Sequence, residues 1–127
     1  MANLPKPTRP IRWIGSSHKD YCDFPAQAQD EFGFALFLAQ LGQHPPVAKP
    51  LHGLGGGVME LADQFDGDAY RAVYAVRFET AVYVLHCFKK KSKRGSETPQ
   101  VDIELIRKRL RDAEADFAAR RKTEPKT

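Results

Sequence analysis

Two apolar segments joined by two residues constrain the fold of this chain more than any other feature. Residues 69–78 are rich in Tyr, Val and Arg, and residues 81–88 are apolar at nearly every position. Aromatic and β-branched residues favour strands, and a link as short as Glu79 and Thr80 favours an antiparallel hairpin. The second segment is apolar on both faces, which predicts a central strand or one covered by helices.

The sequence before this hairpin predicts a short strand and two helices. Residues 10–14 alternate apolar and polar side chains, and Ser17 is a suitable cap for a short helix. A longer helix is expected at 26–41, after Pro25, with Gly42 as its stop signal. Its apolar residues spread beyond a single stripe, so we expect a well-buried helix. They are Ala28, Phe32, Phe34, Ala35, Leu36, Phe37, Leu38, Ala39 and Leu41.

The remaining sequence completes an α+β pattern. Residues 44–57 are rich in Pro and Gly and are predicted to form a loop, followed by a strand at 58–62 and a turn at 66–68. Thr98 and Pro99 precede a helix expected to run to about 121. The predicted order is β-α-α-β-β-β-α, a small antiparallel sheet with two N-terminal helices and a C-terminal helix.

Length and composition indicate one cytoplasmic domain. The chain has 127 residues, 42% of them hydrophobic, enough for one core. We assign residues 10–121 to that domain, 1–9 to a flexible leader and 122–127 to a flexible tail. No segment is apolar enough to span a membrane, and the N-terminus lacks a signal-peptide core. Cys22 and Cys87 are expected to be core residues, and the histidines show no metal-ligand spacing, so neither metal nor cofactor is predicted.

Positive charge is concentrated in the second half of the chain. Residues 1–70 hold five basic and eight acidic side chains, net −3, whereas residues 71–127 hold fifteen and eight, net +7. Five of the basic residues fall in the six positions from Lys89 to Arg94, directly after the last strand. This run is either a solvated strand end or a phosphate-binding patch, and the second interpretation predicts a polyanionic partner.

The hairpin register gathers polar groups on one face of the sheet. If Phe78 lies opposite Ala81, Arg71 lies opposite Phe88 and Lys90 opposite Ala69. Arg71, His86, Phe88 and Lys90 then share one face, and Lys89 points the other way. Such a face could grip phosphate, move a proton and stack a base. Alternatively, Arg71 pairs with Glu60 and His86 is a hydrogen-bonded core histidine.

The glycine-rich segment at 49–57 is a weaker candidate. Its glycine spacing matches neither a dinucleotide-binding nor a phosphate-binding loop. It is either a plain connection or a loop that brings Lys49 and His52 to the same groove as the hairpin.

Several segments resemble a known superfamily. The sequences Lys49-Pro50-Leu51, Glu60-Leu61 and Tyr70-Arg71-Ala72-Val73-Tyr74 resemble the RelE/ParE bacterial toxins. The stretch from Val82 to Ser92, followed by Thr98 and Pro99, resembles the phage-derived HigB-like branch, in which a similar basic strand end precedes a Thr-Pro helix start. The similarity extends from about Ile11 to Ala119 and implies the RelE-like α+β fold.

The resemblance implies a toxin of a type II toxin-antitoxin system. Many relatives are metal-free endoribonucleases that cut ribosome-bound mRNA, and their antitoxin in the HigB-like branch is usually a helix-turn-helix protein. It also implies that Arg71 clamps the scissile phosphate, that Lys89, Lys90 or His86 moves a proton, and that the RNA is held by Lys49, His52, Phe88, Lys91, Lys93 and Arg94.

Two other functions remain open at this point. A ParE-like toxin inhibits DNA gyrase without cutting RNA, and fold does not fix function. A non-catalytic nucleic-acid-binding protein of phage origin is the other alternative, since Ala62 stands where relatives often carry an arginine.

Overall fold

A computed structural model of the chain describes residues 9–90 and 98–123. Three helices and five strands occupy these ranges. In chain order they are β1 Ile11–Trp13, α1 Ser17–Cys22, α2 Ala26–Gln40, β2 Ala48–Pro50, β3 Val58–Phe65, β4 Asp68–Ala75, β5 Val82–Lys90 and α3 Gln100–Thr123. The predicted leader (except Arg9), the end of the predicted tail and Lys91, Lys93 and Arg94 lie outside the described residues.

The strands form one sheet in the order β1-β5-β4-β3-β2, which confirms the predicted α+β class. The pairs β2–β3, β3–β4 and β4–β5 are antiparallel, whereas β1 pairs parallel with the start of β5, so the sheet is mixed. Strand β2 lies inside the predicted loop, where Ala48 pairs with Leu61. Its three residues are too few for a periodic signal, which explains why the sequence did not reveal it.

The β4–β5 hairpin has the predicted register over its outer half but a longer connection. Arg71 lies opposite Phe88, and Ala69 lies opposite Lys90. The strands stop at Ala75 and Val82, however, so the predicted two-residue link was wrong. Phe78 is buried against α3, its ring centroid 5.0 Å from that of Phe117, and leaves the sheet to reach the core.

A bulge in β5 reconciles the long connection with the predicted register. Val73 pairs with His86, but the next residue, Tyr74, pairs with Val84, which leaves Leu85 as the extra residue. One extra residue in one strand shifts the pairing by one position. The shift compensates for the misplaced turn, so the faces of the functional half follow the prediction.

The other hairpin turns at Asp66 and Gly67, as predicted. Both residues have positive φ, 53° and 83°. This conformation at both central positions defines the tight turn whose twist matches that of paired strands. Strand β3 is longer than expected, since it continues to Phe65, whereas β4 is shorter than expected, since it ends at Ala75.

Helix α2 ends as predicted but is less buried than predicted. Gly42 has φ of 80°, and the amides of Gly42 and Gln43 donate to Ala39 and Leu38, which closes the helix with a left-handed cap. One stripe faces the sheet: Ala28, Phe32, Ala35, Leu36 and Ala39. Phe34, by contrast, is 62% exposed, because the sheet covers only one side of the helix.

Helices cover both faces of the sheet. Helix α2 packs on the face that carries Ala72 and Tyr74, and Ile106, Leu110 and Ala113 of α3 pack on the face that carries Val73. These two layers bury the central strands on both sides, as the apolar pattern of β5 predicted.

Two smaller predictions in the N-terminal region were wrong. The Ser17 hydroxyl does not cap α1 but donates to the carbonyl of Val84, at 3.1 Å, and is fully buried. Cys87 is a core residue as expected, whereas Cys22 is exposed at the end of α1.

None of the described helices is both long and apolar enough to cross a membrane.

A pair of carboxyl groups joins α2 to β3. A hydrogen bond with Asp63, followed by burial, raises the pKa of Glu31 to about 7, and the same bond lowers the pKa of Asp63. Glu31 therefore holds the proton of this pair below about pH 7.

The first prediction concerns the two faces of α2. Phe32→Ala should lower the free energy of unfolding by about 3–5 kcal/mol, since Phe32 is fully buried, and Phe34→Ala should change it by less than ~0.5 kcal/mol. Urea denaturation followed by circular dichroism measures both. A large loss in Phe34→Ala would contradict the assigned face.

The second prediction concerns pH. Because the folded pKa of Glu31, about 7, exceeds its usual value of 4.5, its stabilising contribution is full below pH 4.5 and disappears as pH rises through 7. Glu31→Gln should therefore flatten the loss of stability between about pH 5 and pH 8. The exposed Glu104→Gln is the control and should keep the wild-type slope.

Candidate functional site

A groove of about 430 Å³ runs along the α3 side of β2, β3 and β4. It contains the three cationic or imidazole groups Lys49, His52 and Arg71, which confirms that the glycine-rich segment borders the hairpin face. The other residues around it are Pro50, Leu51, Glu60, Ala62, Thr98 and Ile103. Clefts with a few convergent polar groups are the usual location of binding and catalytic sites.

A buried ion pair lies on the floor of this groove. Arg71 Nη1 is 3.1 Å from Glu60 Oε2, and the two side chains are only 8% and 11% exposed. Thr98 Oγ1 donates to the same carboxylate oxygen, at 2.8 Å. The pairing of Arg71 with Glu60 was one of the open alternatives, and it leaves both groups facing the groove.

Residue positions on the strands explain how this pair forms. Glu60 lies opposite Val73 and Arg71 opposite Ala62, so the two side chains are diagonal neighbours on one face. Lys49 lies opposite Glu60 on the other side, on β2. The carboxylate is therefore flanked by cations on both neighbouring strands, and Ala62 leaves space above Arg71.

The loop that carries His52 is held in place by arginines. Arg77 Nη2 donates to the Leu54 carbonyl at 2.7 Å, and Arg107 Nη1 donates to that of Gly53 at 3.4 Å. Gly57 has φ of 78°, and a Cβ there would lie 2.8 Å from that of Arg77. Only glycine permits this close contact, so the glycine-rich segment is a fixed loop beside the groove.

His86 lies on the predicted face but has a partner at each ring nitrogen. Its Nε2 is 2.7 Å from Asp102 Oδ1, and Arg109 Nη1 is 3.5 Å from its Nδ1. A guanidinium only donates, so Nδ1 accepts and Nε2 carries the proton. Burial lowers the pKa of His86, and Asp102 opposes that shift. His86 is thus a neutral, fixed imidazole, stacked on Phe88 with ring centroids 4.6 Å apart.

The remaining candidates separate onto the two faces of β5. Lys90 is buried on the Arg71 face, opposite Ala69, as the register predicted. Lys89 points to the other face, where its Nζ lies 3.0 Å from Asp68 Oδ2. That contact raises the pKa of Lys89, which keeps its ammonium charged. Phe88 is half-buried beside Arg71.

Glu60 is the site residue that the sequence interpretation treated only as a partner. The signal that could have identified it was a lone carboxylate in an otherwise apolar run, Val58 to Ala62, opposite the basic hairpin. A charge at such a position is retained only where it is paired or used.

The described residues contain no group of three or more His, Cys, Asp or Glu side chains that could hold a metal ion.

The sequence that forms this fold and groove matches a protein-family model. The family model of the phage-derived Gp49-like proteins (DUF891) matches residues 19–111, from α1 into α3. The chain therefore belongs to the Gp49-like phage-derived family, which is a RelE-like toxin family. No curated protein matches the chain.

A third prediction tests the assignment of His86. Asp102→Asn should lower the pKa of His86 further, because the carboxylate raises that pKa whereas a carboxamide of the same shape carries no charge. An NMR titration of the histidine ring protons measures it. Asp112→Asn, an exposed change on the same helix, should leave the His86 pKa unchanged.

Proposed function

We propose that the protein is the toxin of a type II toxin-antitoxin system, of the HigB-like branch, and a metal-free endoribonuclease that cuts ribosome-bound mRNA. The observation that carries this proposal is the Glu60–Arg71 pair in a groove shared with His52 and Lys49. Together these side chains provide a base, an acid and positive charge, which RNA cleavage without metal requires.

Three of these side chains have a defined role in the proposed cleavage of RNA. Glu60 takes the proton of a ribose 2′-hydroxyl, and the 2′-oxygen attacks the adjacent phosphorus. Arg71 stabilises the negative charge that develops on the phosphoryl oxygens. The bond to the 5′-oxygen breaks, and His52 gives that oxygen a proton. The products are a 2′,3′-cyclic phosphate and a free 5′-hydroxyl.

The other basic residues would hold the RNA rather than react with it. Lys49, on the exposed edge strand, meets the backbone, and Lys90 adds positive charge on the Arg71 face. Lys91, Lys93 and Arg94 follow in sequence and keep the RNA-binding role that the resemblance implies. Lys89 and His86 are outside the reacting set in this proposal, because Lys89 pairs with Asp68 on the other face and both nitrogens of His86 have partners.

We further propose where the toxin acts and which kind of protein neutralises it. Its substrate complex is mRNA on the ribosome, in the cytoplasm, and its neutralising partner is a helix-turn-helix antitoxin of the HigA-like kind. The family membership supports this class of system and leaves the partner to experiment.

A fourth prediction tests the chemistry. Expression of the wild-type chain should produce new mRNA 5′ ends that carry hydroxyl groups, and Glu60→Gln should reduce cleavage by about 10²–10⁴-fold, because the carboxamide cannot take the proton. Mapping of 5′ ends and cyclic-phosphate termini measures both. Lys89→Ala should cleave normally, and circular dichroism should confirm that each variant is folded.

The alternatives make different predictions. A gyrase inhibitor would block supercoiling and leave mRNA intact, and a non-catalytic nucleic-acid-binding protein would bind RNA or DNA in a salt-dependent manner without arresting growth. Intact messages during growth arrest would refute the ribonuclease proposal.

A further inference from the structure

The hydroxyl of Thr98 has its partner in the sheet and not in the helix that follows it. Thr98 and Pro99 are typical of a helix start, and α3 begins directly after them. Backbone bonds close the first turn, since the amides of Asp102 and Ile103 donate to the carbonyl of Pro99. The Thr98 hydroxyl instead donates to Glu60 Oε2, on β3 and 38 residues away, at 2.8 Å. A side chain expected at a helix start therefore acts at the groove.

The contacts that hold the Glu60 carboxylate fall on one oxygen. Arg71 Nη1 lies 3.1 Å from Oε2, and the Thr98 hydroxyl donates to the same atom from the start of α3. At Oε1, no hydrogen bond is found within residues 9–90 and 98–123. All three side chains line the groove. Oε1 is thus the oxygen that is placed to accept a proton.

A second donor changes how a carboxylate pairs with a guanidinium. Such pairs are frequently bidentate, with two parallel bonds that use both carboxylate oxygens. The last torsion of a glutamate side chain is broad, so a single contact does not fix its rotation. In a bidentate pair with Arg71, both oxygens of Glu60 would accept bonds, and each would be a poorer proton acceptor. Thr98 opposes this rotation, because the rotation would move Oε2 away from the hydroxyl.

The surroundings strengthen the hydrogen bond from Thr98. The side chains of Arg71 and Glu60 are only 8% and 11% exposed, and Thr98 is half-buried. In such a position a hydrogen bond is stronger than in water, and little water is present to replace a lost donor. A hydroxyl is also neutral, so it orients the carboxylate without placing a second positive charge beside it.

We propose that Thr98 is a positioning residue, which holds the Glu60 carboxylate in a one-oxygen contact with Arg71 and keeps Oε1 available to take the proton of the ribose 2′-hydroxyl. The inference rests on the proposed ribonuclease function and assigns Thr98 no contact with RNA. It gives the start of α3 a part in the reaction through Glu60.

The experiment compares full-length variants in the cleavage of mRNA on purified ribosomes loaded with that mRNA. Thr98→Val, which has a similar shape and no hydroxyl, should lower the rate at saturating toxin about tenfold. The toxin concentration for half of that rate should change less than about twofold, because Thr98 orients the base and does not bind RNA. Thr98→Ser should cut within about twofold of the wild type, since it keeps the hydroxyl. Thr80→Val, the same exchange at an exposed position between β4 and β5, is the control and should cut like the wild type.

A double variant tests whether Thr98 acts through Glu60. In a Glu60→Gln chain the base is already absent, so the addition of Thr98→Val should slow cleavage by less than about twofold. A further tenfold loss in the double variant would show that Thr98 acts elsewhere and would overturn the inference.

Crystal structures of the wild type and of Thr98→Val test the geometry without RNA. Glu60 Oε1 should come within hydrogen-bonding distance of Arg71 in the variant only. A carboxylate that does not move, or a Thr98→Ser chain as slow as Thr98→Val, overturns the inference while the proposed function stands. A wild-type chain that cuts no mRNA refutes the proposed function instead, and the two crystal structures still decide whether Thr98 holds the carboxylate.

Discussion

The antiparallel pairing of β4 with β5 is the interaction on which the rest of the structure depends. It forms the centre of the sheet and gives both helical layers an apolar surface to cover. It also determines which polar side chains share a face, because a shift of one residue in β5 would bring Lys89 instead of Lys90 to the face of Arg71. The bulge at Leu85 matters for the same reason: it restores the register of the functional half after a long connection.

The Glu60–Arg71 pair places two oppositely charged side chains in a nearly buried position. Removing two charges from water is costly, and a hydrophobic pair of similar size is often at least as stable. A buried ion pair is therefore weak evidence of a stabilising role, which favours a functional role for Glu60 and Arg71. By contrast, the His86–Asp102 contact, held also by Arg109, ties β5 to α3 and leaves the imidazole neutral and fixed.

Two clefts carry opposite charge within a small domain. The groove over β2, β3 and β4 presents Lys49 and Arg71, whereas a second cleft, beside α1 and β5, presents Asp20 and Asp23. The charge of this domain is therefore distributed unevenly over its surface. The net charge of the whole chain, +4, reports neither surface.

Sequence alone determined the features that depend on short-range pattern. The buried stripe of α2, its end at Gly42 and the Asp66–Gly67 turn follow from periodicity and turn chemistry. The face shared by Arg71, His86, Phe88 and Lys90 agrees with the prediction only because the bulge at Leu85 compensates for the longer connection. Tertiary structure decided the rest. Strand β2 is too short for a pattern, and the exposure of Phe34 depends on what covers α2. Phe78 leaves the sheet to pack against Phe117 of α3, a contact between distant parts of the chain. The partners of Glu60 and His86 come from other elements, and no local spacing records which of them the packing brings within hydrogen-bonding distance.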